Sequence, residues 1–310
     1  MKAFVAGGSG LVGSALIRNA PSGIEVISPK RIELNLEDKP SVLQFLKRER
    51  PQTVILAAAK VGGISANSKY QRDFLSKNLE IQDSVIMSAR EVGVQNLVFL
   101  GSSCIYPRDA SQPIREESLL TGPLEPTNEG YAIAKIAGVR LCKAIAEEDG
   151  YRYFSLMPTN LYGPNDNFHP ENSHVPAALI RRFHEATVRK LPKVEVWGSG
   201  APRREFMHVD DLANACWQLL TVARGGDLIN VGTGEDIAIS DFAKLVSQTV
   251  GYSGEIEFDA SKPDGTPRKL LDVRRAHDYG WKHRIPLDAG LKSTYEWFNQ
   301  ALEKGALREY

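Results

Sequence analysis

Cysteine is scarce. Cys104, Cys142 and Cys216 are too few and too scattered in 310 residues for a disulfide framework or a zinc site. A reducing compartment is expected, and no metal. Long apolar runs are also missing: Val54 to Ala59 falls far short of the ~20 residues a spanning helix needs. Met1-Lys2 leads straight into Ala-Phe-Val-Ala, without the positive region and long apolar stretch of an export signal. The cytoplasm is the expected location, with no membrane partner. There is no excess of charge of either sign, since lysine plus arginine and aspartate plus glutamate number 38 each. That balance excludes general attraction to nucleic acid, so any anion has to be met locally. No internal repeat or low-complexity segment stands out. A hydrophobic content of 42% over this length suits one large or two modest soluble domains.

Glycine is concentrated at the start. Ala3 to Ala6 is a short apolar run, Gly7, Gly8, Gly10 and Gly13 follow, and Leu11 to Ile17 begins a helical pattern. The order strand, glycine turn, helix is the context a dinucleotide fingerprint requires. Glycines let the backbone turn tightly and approach a pyrophosphate, whose charge is met by the helix amino terminus. Glu25 to Ser28 reads as the second strand, followed by Pro29-Lys30-Arg31. An acidic residue there would hold the ribose 2′-hydroxyl of NAD, whereas an arginine accepts the 2′-phosphate of NADP. Glu33 comes late for the first role, so Arg31 points to NADP.

Alternation then continues. Pro40 opens a helix, Thr53 to Ala57 is a fully apolar third strand, and a long helix runs from about Asp73 to Val92. Leu97 to Leu100 is the fourth strand and ends in Gly101-Ser102-Ser103-Cys104. A helix from about Tyr131 to Glu148 and a strand from Tyr153 to Met157 follow. Beyond Pro164 the pattern loosens. His174 to Arg189 reads as a helix and Val194 to Trp197 as a short strand; Arg203 to Asp211 reads as a strand capped into a helix reaching Leu220. Leu228 to Val231 is a further strand, and helices are expected near 240 to 250 and 287 to 300. The fold class expected is α/β, a doubly wound parallel Rossmann-type sheet with a smaller α/β substrate domain. Residues 1–163 plus about 205–231 are expected to form the cofactor domain, and 164–204 with 232–310 the substrate domain.

Tyr131 and Lys135 are four residues apart, which on a helix stacks them on one face. A phenol ordinarily titrates near pH 10, and a neighbouring ammonium favours its ionised form, so the pair is suited to proton transfer. On its own the spacing describes an ordinary amphipathic helix equally well.

Taken together, Gly7-Gly8-Ser9-Gly10-Leu11-Val12-Gly13, a serine after the fourth strand, and Tyr131 with Lys135 resemble the extended short-chain dehydrogenase/reductase family. Longer stretches are similar, over nearly the whole chain, to its branch of GDP-sugar epimerase-reductases: Ala57 to Gly63, Gly101 to Pro107, Pro158 to Pro164, Asn167 to Pro170, Asn172 to His174, Trp197 to Gly200, Arg204 to Phe206 and Lys262 to Asp272. The resemblance implies epimerisation at C3 and C5 of GDP-4-keto-6-deoxy-D-mannose and NADPH-dependent reduction at C4, giving GDP-L-fucose. It implies Ser102, Tyr131 and Lys135 as the reduction triad and Cys104 with His174 as the epimerisation acid/base pair. NADP(H) would be held by residues 7 to 13, Arg31, Asn35, Leu36, Leu100, Gly101, Lys135, Pro158, Asn160, Leu161 and His174. Arg182, Trp197, Arg204 and Lys269 would lie along the nucleotide diphosphate of the substrate. A homodimer through the helices near 73 to 92 and 131 to 148 is implied as well. Some members carry arginine where this chain has Ser9, so NADP preference leans on Arg31.

The chemistry is consistent. A C4 ketone acidifies the protons at C3 and C5, so inverting either centre needs a base on one face and an acid on the other. Thiol and imidazole bracket neutral pH, and an enolate formed on the way wants donors, which Ser102 and Tyr131 would supply. A nucleotide-sugar 4-epimerase or dehydratase would use the same tyrosine and lysine but has no need of the cysteine and histidine. A non-catalytic NADP-binding regulator would have lost Tyr131 or Lys135.

Overall fold

The computed structural model describes all residues except 171–172, 263 and 309–310, with the side chains of residues 64 and 65 also outside the description. The motif positions Asn172 and Pro263 therefore lie outside the described residues. The first part of the chain alternates regularly: β1 (Lys2–Ala6), α1 (Leu11–Arg18), β2 (Glu25–Ile27), α2 (Lys39–Glu49), β3 (Thr53–Leu56), α3 (Ile64–Lys69), α4 (Gln71–Glu91), β4 (Asn96–Leu100), α5 (Glu129–Asp149) and β5 (Arg152–Pro158). Shorter strands follow: β6 (Asn160–Tyr162), α6 (Val175–Arg189), β7 (Lys193–Trp197), β8 (Arg203–Arg204), β9 (Phe206–His208), α7 (Val209–Val222), β10 (Leu228–Val231), β11 (Ile237–Ala238), α8 (Ile239–Val250), β12 (Glu255–Asp259), β13 (Arg268–Lys269), α9 (Arg274–Asp278) and α10 (Leu287–Glu303).

Six strands form one parallel sheet in the order β10-β5-β4-β3-β1-β2. The order reverses at β1, which has β2 on one side and β3 on the other. In such sheets ligands bind beyond the carboxyl ends of the strands at that point. The central strands are covered on both faces, which explains their unbroken apolar runs. One face carries a core with Phe4, Val54, Leu97 and Phe99 under α2, α4 and α5. The other carries Val5, Ile55, Val98 and Phe154 under α1 and α7, closed by Trp217 and Trp281. A third core, around Phe168, Phe183, Phe206, Phe242 and Phe298, joins α6, α8 and α10 to β7 and β12 outside the main sheet.

One expected strand is divided. Arg203 to His208 breaks at Glu205: β8 pairs with β11 and β13, while β9 pairs with β6. The cause is the Glu205 carboxylate, fully buried, which accepts from the main-chain N–H of Gly234 at 2.8 Å and of Leu271 at 3.0 Å. A buried carboxylate needs such donors, and turning inward to reach them interrupts the strand. Among the described residues no helix is long and apolar enough to cross a membrane, and no three potential metal ligands come together.

Candidate active site

Because β1, β3, β4 and β5 run parallel, the loops that follow them leave the sheet from one edge. The first is the glycine loop. Gly7 adopts φ +97°, and a β-carbon on it would stand 2.8 Å from the Ala58 backbone; one on Gly13 would stand 2.0 Å from the Gly7 carbonyl oxygen. The helix α1 can settle on the loop only because those atoms are missing. Gly10 precedes α1 without a capping side chain, and no acidic residue occupies the first turn. The first N–H groups and the positive end of the helix dipole are thus left for an anion. Leu11 and Val12 point into the core beneath α1.

Beyond β2, Arg31 is largely in solvent and pairs at 3.1 Å with Glu37, whose second oxygen takes Lys77 at 2.6 Å. Asn35 shapes the same turn, its side-chain oxygen accepting from Glu37 N–H at 3.2 Å, and Leu36 packs half-buried on the core.

The loop after β4 carries the expected reaction cluster. Ser102 stands before a short 3-10 turn, Ser103–Ile105, and its hydroxyl accepts from the Cys104 N–H at 3.4 Å. On α5, Lys135 is 3% exposed and donates to the Leu100 carbonyl at 2.8 Å. Its ammonium lies 4.9 Å from the centroid of Phe99 and 5.7 Å from that of Tyr131. Phe74 meets the Tyr131 ring edge-on at 6.3 Å. One turn after Lys135, a β-carbon on Gly138 would fall 2.4 Å from the Phe99 ring, so glycine there sets how closely α5 approaches β4.

Burial dominates the electrostatics of this cluster. It raises the Tyr131 phenol well above its ordinary value, the Cys104 thiol adding in the same direction and the Ser102 hydroxyl opposing. It lowers Lys135 to about 8, against an upward pull from Cys104. It raises Cys104, while Lys269, Ser102 and Lys135 draw the thiol down. The expectation that Lys135 brings the phenol down is not met: the ammonium is committed to the Leu100 carbonyl, and removing the phenol from water outweighs a nearby charge. Burial thus favours the protonated form of Tyr131.

The remaining predicted residues fall into further groups. Lys269, expected beside a diphosphate, is paired in register with Arg204 across β13 and β8, and its ammonium is the main charge drawing Cys104 down. Burial lowers both Lys269 and Arg204. On α6, Arg182 donates to the Glu195 carbonyl at 2.7 Å and lies 5.9 Å from the centroid of the exposed Trp197 ring, with Lys262 at 5.8 Å. Arg182, Glu185, Lys193, Glu195 and Trp197 line a surface pocket of about 250 Å³. His174 precedes α6, two turns before Arg182, and its carbonyl accepts from Ala178 N–H at 2.9 Å. The residue as a whole is exposed, yet the protein around the imidazole displaces enough water to lower its pKa. The structure thus brings Ser102, Cys104, Tyr131, Lys135 and Lys269 together, and no hydrogen bond joins His174 to them among the described residues. Pro158 ends β5, Asn160 donates to the Glu205 carbonyl at 2.9 Å, and Leu161 packs under α1 and α7.

Two features escaped sequence reasoning. The closeness of Lys269 to Cys104 has no local signal, since the two are distant in the chain. Glu205 could have been suspected, as a carboxylate set between Arg204 and the apolar Phe206-Met207.

A family model described as "NAD dependent epimerase/dehydratase family" matches residues 3–232. The GDP-L-fucose synthase of Escherichia coli (strain K12) is 54% identical over 308 residues, covering 96% of each chain. Among solved structures, a GDP-6-OMe-4-keto-L-xylo-heptose reductase from C. jejuni is similar with a TM-score of 0.90 at 34% identity, covering 96% of this chain and 97% of that one. A GDP-L-fucose synthetase from Naegleria fowleri bound to NADP gives a TM-score of 0.89 at 26% identity, covering 98% and 94%.

Proposed function

The chain belongs to the NAD dependent epimerase/dehydratase family, among relatives named GDP-L-fucose synthase, and from that premise we propose that it converts GDP-4-keto-6-deoxy-D-mannose to GDP-L-fucose with NADPH. The observation that carries the proposal is the cluster of Ser102, Cys104, Tyr131 and Lys135 on the sheet edge that also carries the glycine loop.

A dinucleotide fits the residues present. Gly7 and Gly13 leave a cradle that β-carbons would fill, α1 begins without a side-chain cap, and Arg31 lies in solvent past β2. The main chain of residues 7 to 13 would hold the diphosphate and Arg31 the 2′-phosphate, with Asn35 and Leu36 on the adenosine side. Leu100, Gly101, Lys135, Pro158, Asn160, Leu161 and His174 would surround the nicotinamide half. When bound, NADPH supplies the hydride for C4.

The protein's own groups handle the protons. Cys104 and His174 exchange protons at C3 and C5. Lys269 and Lys135 offset part of the cost of a buried thiolate, and the lowered imidazole is neutral and able to accept. Ser102 and Tyr131 donate to the oxygen at C4 while it carries enolate charge. Tyr131, kept protonated by burial, then delivers its proton to that oxygen during reduction. Arg182, Trp197 and Arg204 hold the GDP portion, and Lys269 stands between the diphosphate and Cys104.

We assign residues 1–163 with about 205–231 to the cofactor and residues 164–204 with 232–310 to the substrate, supported by the separate core around α6, α8 and α10. The protein acts in the cytoplasm as a homodimer, with α4 and α5, which expose Leu79 and Ile133, as the paired surface. The test is incubation with GDP-4-keto-6-deoxy-D-mannose and NADPH, following loss of nicotinamide absorbance and identifying the sugar. No oxidation of NADPH, or a product reduced at C4 without inversion at C3 and C5, would refute the assignment.

A further inference from the structure

Residues 7 to 13 include no cation, although a dinucleotide diphosphate brings two negative charges to this loop and a helix terminus offers only about half a charge. A cation reaches the loop from elsewhere. After α10 the backbone turns at Gly305, with φ +59°, and Ala306 N–H returns to the Ala301 carbonyl at 2.8 Å. Leu307 then packs on the third core, and the Arg308 carbonyl accepts from Phe168 N–H at 2.8 Å. The Arg308 side chain continues inward. Its Nη1 donates to the Asn165 carbonyl at 3.3 Å and lies 3.6 Å from the point a β-carbon on Gly10 would occupy.

The geometry points to Arg308 as a further cofactor-binding residue, a guanidinium carried from the segment after α10 to the diphosphate held at the glycine loop. It rests on the dinucleotide reading given above. Main chain and side chain are both anchored, so little rotamer freedom remains to be lost when an anion arrives. Among the described residues, Asp166 is an acidic group that faces Arg308. Burial pushes that carboxyl up to about 7, with the Asn167 N–H and Arg308 pulling it down, so near neutrality it cancels the arginine's charge only in part. Arg308 is also tied to Asn165 and Phe168, in the loop that leads to His174, so the cofactor diphosphate and that loop share one anchor.

The proposal separates Arg308 from Arg31. A diphosphate contact acts on NADPH and NADH alike, whereas a 2′-phosphate contact acts on NADPH alone. The test is calorimetric or fluorescence titration of wild type, Arg308→Ala and Arg308→Lys with NADPH, NADH and adenosine 2′-monophosphate, which lacks the diphosphate. The alanine variant keeps the main-chain bond from Phe168. It should weaken both dinucleotides by one common factor, about ten- to a hundredfold for a charge-assisted contact, and leave adenosine 2′-monophosphate unchanged; lysine should recover part of the loss. Unchanged dinucleotide affinity would overturn the assignment, and tighter binding would mean that the side chain obstructs the site. A parallel loss of adenosine 2′-monophosphate would reduce Arg308 to a structural tie and overturn it as well. A wild-type protein that binds neither dinucleotide would sink the cofactor reading itself, an outcome distinct from all of these.

Discussion

Lys135→Met separates stability from chemistry. The ammonium is 3% exposed, and burial lowers its pKa from 10.5 to about 8. Holding it charged at pH 7 therefore costs about 3 kcal/mol relative to an exposed lysine. Methionine keeps the unbranched stem and removes the charge. It gives up the bond to the Leu100 carbonyl, about 1 kcal/mol. The variant should be more stable than wild type at pH 7 by about 2 kcal/mol. The sign with pH follows from the depressed value: between about 8 and 10.5 the unfolded chain keeps a proton that the folded one has released, so wild-type stability gains from this group as pH rises through that window. The variant has no such gain, and its advantage should shrink towards zero near pH 10. Urea unfolding of both proteins at pH 7 and pH 10 measures this directly. A methionine variant less stable at pH 7, or an advantage that stays constant with pH, would refute the reasoning. Reduction should behave oppositely: the variant should lose it, and wild-type turnover should fall as pH passes about 8 and the ammonium is lost.

Three further outcomes follow from the same structure. Arg31→Ala should weaken NADPH about ten- to a hundredfold in titration while sparing NADH. Its exposed pair with Glu37 is worth under about 1 kcal/mol, so the melting temperature should hold; equal losses on both cofactors would remove Arg31 from the role. Tyr131→Phe should cut reduction about 10²- to 10⁴-fold with NADPH affinity intact, and near-normal turnover would leave the proton donor elsewhere. Cys104→Ser and His174→Gln, assayed in deuterium oxide with NADP⁺, should each lose about 10²- to 10⁴-fold of solvent exchange at C3 and C5. Both should still reduce an already epimerised ketone, and wild-type exchange rates would return both residues to structural roles.

What could be read from the chain was what periodicity and glycine spacing control. Val54 to Leu56 and Leu97 to Leu100 are apolar without alternation because both sheet faces are covered, and each is a parallel strand; Leu228 to Val231 is a parallel strand too, interrupted only by the buried Asn230. α5 was legible from its apolar spacing around Tyr131. α3 was not, being six residues without an apolar stripe. Nor were β13, whose residues Arg268 and Lys269 look like solvated loop, and its pairing with Arg203 and Arg204 of β8. Their parallel pairing places four cations together, and Asp236, bonded to both Arg203 and Arg268, makes that tolerable. Such a pairing is decided by a residue distant in sequence, and no local pattern announces it.

The same limit governs the site. Four-residue spacing places Lys135 under Tyr131, but spacing carries no information on which way the phenol's pKa moves. That sign depends on water, and water is removed by Phe74 and Phe99, brought in by α4 and β4. In the proposed reduction the raised value keeps the phenol protonated until substrate is in place. A buried phenol would arrive protonated, and the charge growing on the substrate oxygen would draw the proton away. Under that proposal Lys135 would serve after the transfer, its ammonium offsetting the phenolate left behind. Its burial, costly in the resting fold, is what leaves that charge strong enough to act across the Tyr131 ring.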